Sequence, residues 1–427
     1  AKFIEREREP ATIVVGEDMR PSSPDLATAF SDGITSQGLD VIRIGLCSTD
    51  QLYFASGALN MPGAMFTASH NPAQYNGIKL CRSGAKPIGQ ESGLGWIKSA
   101  IAQGFPIPNR PMGKERSQDL LADYVKFLFS LFPEKSFAPD FQSRPLRIAI
   151  DAGNGMGGHT APAVMREINA VVDGIYFELD GSFPNHEANP IDPKNLVDLQ
   201  NLVKQKGSDI GLAFDGDADR CFLVDEKGEL VSPSALTALI AKRELIKNPG
   251  AAIIYNLISS RAVPEVINES GGKALRSRVG HSYIKQMMAD QGAVFGGEHS
   301  GHFYFKDFWS ADSGMLAALH AIAALLESQM KLSELMQSFN RYSLSGEINT
   351  TVVDQGKAIE KINSYFKDYE PGLTFDKLDG LTVSAKNWWF NLRSSNTEPL
   401  LRLNVEADTP EQMVTMRDLV LQLIRNG

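Results

Sequence analysis

Short hydrophobic segments of strand length alternate with segments of helix length along most of the chain. The segments A-T-I-V-V-G-E-D and L-D-V-I-R-I-G each carry an apolar run that ends in a turn, and a helical segment separates them. Strands that alternate with helices are typical of a parallel or mixed sheet covered by helices. The first part of the chain is therefore predicted to be an α/β domain.

The same alternation begins again twice, with the strands R-I-A-I-D and A-A-I-I-Y-N. Each unit ends in a polar loop, although no clear sequence repeat accompanies the pattern. Residues 105–117 are rich in proline and polar side chains and are predicted to link the first unit to the second. We therefore expect three α/β domains of similar topology with mixed sheets.

The pattern changes near Gly346, where predicted strands at 347–354, 382–390 and 400–406 combine with two helices. This predicts a smaller C-terminal α+β domain. The longest apolar run, 315–326, contains His320 and is too short to cross a bilayer, so it is predicted to be a buried helix. The predicted domains are residues 1–115, 116–232, 233–345 and 346–427.

The composition is typical of a globular protein in a reducing compartment. The chain has 427 residues, of which 43% are hydrophobic and 22% are charged, and this length suggests several domains. The net charge of -9 and the lack of a Lys/Arg-rich run argue against nucleic acid as the main partner. The three cysteines have apolar neighbours and the charged first residues do not form a signal peptide, so the predicted location is the cytoplasm.

A polar turn places Ser69 at its tip. The segment M-F-T-A-S-H-N-P-A-Q-Y-N-G-I-K-L-C contains an incoming strand, a turn closed by Asn-Pro and Asn-Gly, and an outgoing strand. His70, Asn71 and Lys79 place hydrogen-bond donors around the hydroxyl, as a phosphorylated or acylated serine requires. Taken alone, the segment is also compatible with a loop whose serine caps a backbone amide.

Three aspartates alternate with small residues in D-G-D-A-D-R. Asp215, Asp217 and Asp219 can turn toward one point, where their mutual repulsion favours a hard cation such as Mg²⁺. A solvated acidic turn is the alternative. An EF-hand loop is excluded because Arg220 stands at the position that needs glycine and because the flanking segments are predicted strands.

Two further loops suggest ligand binding. D-A-G-N-G-M-G-G follows a strand and satisfies G-x-G-x-x-G, so a nicotinamide-dependent dehydrogenase is an alternative from another enzyme class. R-S-S-N-T-E-P, followed by Arg402, offers guanidinium groups, hydroxyls and an amide that suit a phosphate dianion, although an N-capped turn is an alternative. His281, His299 and His302 lack the nearby partners that a zinc site needs.

The motifs T-A-S-H-N-P, D-G-D-A-D-R, G-E-H-S-G-H and R-S-S-N-T-E-P occur once each, in this order. In these motifs, and over nearly its whole length, the chain resembles the α-D-phosphohexomutase family. The resemblance implies three α/β domains of shared topology and a fourth that resembles TATA-binding-protein folds, arranged around a central cleft. It also implies a cytoplasmic isomerase of carbohydrate metabolism, a monomer or homodimer that acts on a hexose phosphate.

The resemblance also implies roles for individual residues. The implied catalytic residues are Ser69 as the phosphoserine, Lys79, Arg220 and His281. The implied ligands of Mg²⁺ are Asp215, Asp217, Asp219 and a phosphoserine oxygen of Ser69. The implied contacts to the sugar and to the phosphate that does not react are His70, Glu298, His299, Ser300, Arg393, Ser394, Ser395, Asn396, Thr397 and Arg402.

The implied reaction consists of two phosphoryl transfers. Phosphoserine phosphorylates a hexose monophosphate, the bisphosphate turns over in the cleft, and its other phosphate returns to Ser69, with a hexose 1,6-bisphosphate as activator. The G-E-H-S-G-H loop, which carries His299, resembles that of bacterial phosphomannomutases and implies interconversion of mannose 6-phosphate and mannose 1-phosphate. The alternatives are glucose or glucosamine phosphate as the substrate, and a phosphosugar-binding protein without catalytic activity.

The sequence departs from the family pattern at two places. An opening strand with a Tyr-Asp-Ile-Arg-Gly-like loop is missing, so a truncated chain that lacks the arginine of that loop is expected. Glu17 precedes Asp18 where many relatives have a basic residue, which leaves the role of Arg20 open.

Overall fold

The computed structural model describes residues 1–104, 108–395 and 399–425. In these residues the chain forms four sheets, one after another along the sequence. The helices near the first sheet are α1 (Lys2–Arg6), α2 (Ser23–Ser36), α3 (Thr49–Leu59) and α4 (Gly95–Gln103). Its strands are β1 (Thr12–Glu17), β2 (Asp40–Leu46), β3 (Gly63–Phe66), β4 (Ile78–Arg82), β5 (Lys86–Pro87) and β6 (Glu115–Ser117).

The second and third sheets each have five strands. The second domain contains α5 (Leu121–Ser130), β7 (Leu146–Asp151), α6 (Gly157–Met165), β8 (Ala170–Ile175), α7 (Val197–Lys206), β9 (Ile210–Phe214), β10 (Cys221–Asp225) and β11 (Leu230–Val231). The third domain contains α8 (Pro233–Lys247), β12 (Ala252–Asn256), α9 (Ala262–Glu269), β13 (Lys273–Ser277), α10 (His281–Gln291), β14 (Phe295–Gly297), β15 (Phe303–Phe305), β16 (Ala311–Asp312), α11 (Gly314–Ser328) and α12 (Leu332–Met336).

The first three domains share one topology. In each sheet the first strand lies in the centre, between the second and the third strand, and all three run parallel. The third strand then pairs with an antiparallel fourth strand, as β3 with β4, β9 with β10 and β14 with β15. The prediction of three α/β domains with similar topology and mixed sheets is confirmed.

The fourth domain is built on an antiparallel sheet in the order β17-β21-β20-β19-β18. Its elements are β17 (Ser343–Thr351), α13 (Gln355–Lys367), β18 (Thr374–Asp376), β19 (Leu381–Ser384), β20 (Trp388–Ser394), β21 (Leu400–Ala407) and α14 (Pro410–Arg425). The prediction of one strand over 382–390 was wrong, because the chain turns within it: the amide of Ala385 donates to the carbonyl of Trp388 over 2.8 Å. This turn lets two apolar segments pair with each other.

Part of the predicted linker belongs to the first sheet. Strand β6 pairs in parallel with β2, and its residues are exposed, as expected for a short edge strand. Residues 105–107 of the linker lie outside the described part of the chain. The exact domain boundaries stay a prediction.

One apolar cluster extends through the first three domains, whereas the fourth domain has a separate core. Helix α11 lies inside the shared cluster and is buried from Gly314 to Leu326, which confirms the predicted buried helix. Among the described helices, none combines the length and the apolar character that are needed to cross a membrane. The shared core gives the loops of the first three domains a common support.

A buried carboxyl group, that of Asp50, joins the first domain to the next two. It stands in the first turn of α3 and accepts hydrogen bonds from the hydroxyl of Tyr124 on α5 over 2.7 Å and from that of Ser313 over 2.6 Å. Ser313 is also the N-cap of α11. Burial raises the pKa of Asp50 to about 6, because the charged form loses its hydration.

This raised pKa predicts a pH-dependent contribution to stability. In the unfolded chain an aspartate has a pKa of about 3.9, so Asp50 binds a proton more readily in the folded protein. Its contribution is fully favourable below about pH 4 and is lost as the pH rises through about 6. We expect the free energy of unfolding of the wild type, relative to Asp50→Asn, to fall by about 2 kcal/mol between pH 4 and pH 7. Urea unfolding of both proteins measures this difference, and an unchanged difference across the range would contradict the prediction.

Candidate active site

The loops between the third and fourth strands of the first three sheets meet in one place. These equivalent loops carry Ser69 after β3, the three aspartates after β9, and Glu298 after β14. Gly216 packs so closely on the first loop that an added Cβ would lie 2.4 Å from the carbonyl oxygen of Ser69. A backbone bridge joins Arg220 to His302 of the third loop. The shared topology therefore brings together three polar loops, each of which follows the carboxyl end of the third strand of its sheet.

The hydroxyl of Ser69 faces the aspartate loop. Its Oγ donates a hydrogen bond to Oδ2 of Asp215 over 2.9 Å and lies 3.3 Å from Nδ1 of His70. The backbone of Ser69 is left-handed, with φ of 51°, and its amide donates to Oγ1 of Thr67 over 2.9 Å. Burial lowers the pKa of His70 to about 4, so the ring is neutral at neutral pH and can accept a hydrogen bond.

The three predicted metal ligands form a buried cluster. One oxygen from each of Asp215, Asp217 and Asp219 lies within 4.8 Å of the others. Arg220 compensates part of this charge, because its Nε lies 2.8 Å from Oδ2 of Asp215. Burial raises the pKa of Asp215 to about 7, although the nearby Arg220 opposes this shift. The three carboxyl groups are therefore shielded from water.

Lys79 bridges the other two carboxylates. Its ammonium group lies 2.6 Å from Oδ2 of Asp217 and 2.6 Å from Oδ2 of Asp219. Burial alone would lower the pKa of Lys79, but the two carboxylates overcome this and hold the pKa well above its usual value. Within the described residues, the Oδ1 atoms of both aspartates are buried and accept no hydrogen bond. Unpaired carboxylate oxygens beside a third carboxylate fit a hard divalent cation.

The third loop presents polar groups beside helix α10. The backbone amide of Gly280, just before α10, donates to Oε2 of Glu298 over 3.2 Å. Nδ1 of His299 lies 3.2 Å from Oγ of Ser234. The hydroxyl of Ser300 lies 3.1 Å from Nδ1 of His302. The predicted residue His281 is the first residue of α10 and is exposed, next to Gly280.

Two arginines face each other on neighbouring strands of the fourth domain. Arg393 on β20 pairs in register with Arg402 on β21. Both contact Glu347, whose carboxylate oxygens lie 2.8 Å from Nη2 of Arg393 and 3.4 Å from Nη1 of Arg402. The other described members of the predicted phosphate loop are Ser394 at the end of β20 and Ser395, which is buried. Asn396 and Thr397 lie outside the described residues.

A turn of the fourth domain connects these arginines with the third domain. The backbone amide of Val279 donates to Oδ2 of Asp379 over 3.2 Å. Gly380, the next residue, packs so tightly that an added Cβ would lie 2.8 Å from Cα of Arg393. The turn with Asp379 and Gly380 therefore contacts both the strand that carries Arg393 and the segment just before α10, which begins at His281.

Four domain families match the chain in the same order as the four sheets. They are described as phosphoglucomutase/phosphomannomutase α/β/α domains I, II and III and the C-terminal domain, and they match residues 1–104, 122–228, 232–342 and 347–423. The chain belongs to the phosphoglucomutase/phosphomannomutase family. The resemblance inferred from the four motifs is confirmed.

Relatives in this family are similar over nearly their whole length. A phosphomannomutase of Escherichia coli K12 is 38% identical over 97% of this chain and 91% of the relative. A phosphomannomutase of Methanocaldococcus jannaschii is 38% identical over 99% of this chain and 92% of the relative. The crystal structure of a phosphoglucomutase/phosphomannomutase family protein from Burkholderia thailandensis is 29% identical, with a TM-score of 0.85, 99% coverage of this chain and 91% of that chain.

Family motifs did not reveal every residue at the meeting point of the loops. His302, which the sequence analysis weighed only as a zinc ligand, has its Nε2 3.7 Å from Oδ1 of Asp219. Lys285 and Asp312 form a buried ion pair of 2.5 Å, and the carboxylate of Asp312 lies within 4.8 Å of groups of Asp219 and His302. The only sequence signal for these contacts was the second histidine of G-E-H-S-G-H.

The glycine-rich loop after β7 packs against the aspartate loop. An added Cβ on Gly155 would lie 2.6 Å from the carbonyl oxygen of Gly216, and that same oxygen accepts a hydrogen bond from the amide of Met156 over 2.9 Å. The amide of Met156, just before α6, is therefore already paired with the aspartate loop. The glycines allow the two loops of the second domain to pack closely.

Proposed function

We propose that this protein is a phosphomannomutase, which interconverts mannose 6-phosphate and mannose 1-phosphate through a phosphoserine enzyme. The observation that carries the proposal is the position of the Ser69 hydroxyl, 2.9 Å from a carboxylate of the buried aspartate cluster. Relatives named phosphomannomutase, which are 36% to 38% identical, support mannose as the sugar.

The proposed reaction consists of two balanced phosphoryl transfers. In the first, the bond between Ser69 Oγ and phosphorus breaks while a sugar hydroxyl forms a new bond to phosphorus and loses its proton. The resulting hexose 1,6-bisphosphate turns over, and its other phosphate returns to Ser69 in the reverse chemistry. Transfers of this kind depend mainly on positioning and on neutralising charge, and Arg220 supplies a fixed positive charge beside the serine.

Lys79 and His281 are the proposed acid and base. The ammonium group of Lys79, held by the carboxylates of Asp217 and Asp219, is the proposed donor of a proton to the departing oxygen. His281, exposed at the start of α10, is the proposed base that accepts the proton of the sugar hydroxyl. The roles exchange in the return transfer.

Mg²⁺ is the proposed cofactor, held by Asp215, Asp217, Asp219 and a phosphoserine oxygen of Ser69. The Oδ1 atoms of Asp217 and Asp219, which accept no hydrogen bond within the described residues, support this assignment. When bound, the cation supplies neutralisation of the negative charge on the transferring phosphoryl group. A hexose 1,6-bisphosphate is the proposed activator, because an enzyme whose Ser69 has lost its phosphoryl group cannot begin the first transfer.

The third and fourth domains are proposed to hold the sugar. Glu298 and Ser300 bind sugar hydroxyls, with His70 and His299 beside them, and the phosphate that does not react lies on the fourth-domain loop. The arginine pair of that loop supports a dianion site, because guanidinium groups form forked contacts with phosphate. The proposed phosphate contacts are Arg393, Ser394, Ser395, Asn396, Thr397 and Arg402.

A coupled assay tests the proposal. The protein is primed with glucose 1,6-bisphosphate and given mannose 1-phosphate, glucose 1-phosphate or glucosamine 1-phosphate in Mg²⁺ buffer. We expect the highest kcat/KM for mannose 1-phosphate and a value for glucosamine 1-phosphate lower by about 100-fold, since an unpaired buried polar group costs affinity. Preference for glucose or glucosamine phosphate would change the assigned substrate. Binding of mannose 1-phosphate without any turnover would instead indicate a phosphosugar-binding protein, and saturable NAD(H) binding would support the dehydrogenase hypothesis.

A further inference from the structure

The guanidinium group of Arg20 lies buried beneath the serine turn. Its side chain is one of the largest fully buried side chains in the protein. Nη1 donates to the carbonyls of Pro72 and Tyr75, each over 2.9 Å. Nη2 donates to the carbonyls of Ser69 over 2.8 Å and Asn71 over 2.7 Å. Four backbone groups of one turn therefore depend on a single side chain.

The remaining donor of Arg20 fixes the guanidinium itself. Nε donates to Oδ2 of Asp18 over 3.2 Å, so all five donors of the guanidinium have an acceptor. Asp18 is held in turn by the hydroxyl of Ser23 over 2.5 Å and by the amide of Arg20 over 3.0 Å. This arrangement leaves the planar group one orientation, and a rigid plane of donors keeps the four carbonyls in fixed relative positions.

Residues of the second domain pack against the same arginine. The ring of Phe183 lies 5.2 Å from the guanidinium carbon, in the geometry of a cation–π contact. Gly181 approaches so closely that an added Cβ would lie 2.6 Å from Cα of Arg20. Arg20 thus lies where the first domain meets the second, which carries the aspartate loop.

Ser69 is held at both ends of its backbone. Its amide is bonded to Thr67, and its carbonyl lies between the guanidinium of Arg20 and Gly216 of the aspartate loop. The left-handed conformation of Ser69 is costly for a residue other than glycine, so surrounding contacts must maintain it. The bond from Arg20 supplies one of these contacts and at the same time sets the distance from Ser69 to the loop of Asp215.

We propose that Arg20 is a positioning residue for phosphoryl transfer, which fixes the serine turn so that Ser69 Oγ faces the aspartate cluster. This inference rests on the proposed function. Arg20 is buried and acts through the backbone of Ser69. Its loss therefore changes the transfer step, whereas the sugar and phosphate contacts of the third and fourth domains stay in place.

The variant Arg20→Lys tests this role, because lysine keeps the charge but has three donors in place of five. We expect kcat to fall by about 100-fold, the effect of a small misplacement of a reacting group, while KM for mannose 1-phosphate changes by less than about threefold. We also expect faster amide hydrogen exchange across residues 69–77, a readout that does not depend on catalysis. Asp18→Asn, which releases Nε of Arg20, should change both readouts in the same direction.

Arg43→Lys is the matched control. Arg43 is partly buried on β2, forms an ion pair with Glu17, and has no described contact with the serine turn. We expect it to keep the wild-type kcat and the wild-type exchange across 69–77. Wild-type kcat and exchange in Arg20→Lys, or the same loss in Arg43→Lys, would overturn the inference. A wild type without turnover would reject the proposed function alone, because the exchange comparison still tests whether Arg20 fixes the turn.

Discussion

Replacing Ser69 with alanine is expected to lower mannose phosphate turnover by at least about 10⁴-fold, as removal of a covalent nucleophile does in other enzymes. The proposed cycle has no route around this oxygen, since both transfers make or break a bond to it. Loss of the hydroxyl should also prevent phosphoryl incorporation from glucose 1,6-bisphosphate, which intact-mass measurement detects directly.

The fold is expected to tolerate this change. The Ser69 hydroxyl donates to Asp215, whose Oδ2 still accepts from Arg220 in its absence, and its other polar neighbour, Nδ1 of His70, lies at 3.3 Å. The cost in unfolding free energy is therefore about 1 kcal/mol. Ser99→Ala is the control, because Ser99 is an exposed serine of the same domain on α4. An alanine variant that turns over normally and carries no phosphoryl group would refute the covalent step.

Replacing Asp219 with asparagine is expected to lower turnover by about 10³-fold at a fixed Mg²⁺ concentration, because electrostatic stabilisation of the transferring group is lost. With all three carboxyl groups ionised, the cluster carries three negative charges against the two positive charges of Lys79 and Arg220, and the net negative charge attracts a divalent ion. Asparagine keeps the shape of the side chain but removes one charge, and Oδ1 of Asp219 accepts no hydrogen bond from the described residues.

A second readout of the same variant does not involve catalysis. A ligand that binds only the folded protein stabilises it by about 2.7 kcal/mol at 100 times its dissociation constant. Mg²⁺ should therefore raise the unfolding midpoint of the wild type more than that of Asp219→Asn. Asp180→Asn, an exposed aspartate of the same domain, is the control and should respond like the wild type. Full turnover after exhaustive treatment with EDTA would argue against the metal assignment.

Much of the architecture could be predicted from local sequence patterns. The alternation of apolar and polar segments predicted three α/β domains with mixed sheets, because strands and helices bury side chains with different periods. The same logic failed at 382–390, where an apolar segment on each side of Ala385 looked continuous although the chain turns there. Short turns without glycine or proline leave a weak sequence signal.

The candidate site was predictable to the extent that its chemistry lies in contiguous motifs. Ser69, the three aspartates and Arg220 stand in two short loops whose residue types suggest a reactive hydroxyl and a cation site. The structure brings these two loops to 2.9 Å, but nothing in either motif states which loop meets which. The family resemblance supplied that expectation, and the equivalent strand order of the domains explains it.

The sequence by itself determined the fold class, the family and the loops that carry polar chemistry, because these follow from local periodicity and from residue types in short motifs. Only the tertiary structure decided the partners of Arg20, which binds carbonyls 49 to 55 residues away, and of Lys79, which bridges aspartates 138 and 140 residues away. The physical reason is that backbone carbonyls are the same in every residue. Which carbonyls a buried guanidinium binds depends on how whole domains pack. The residue types that carry the accepting carbonyls therefore do not indicate this partner in the sequence.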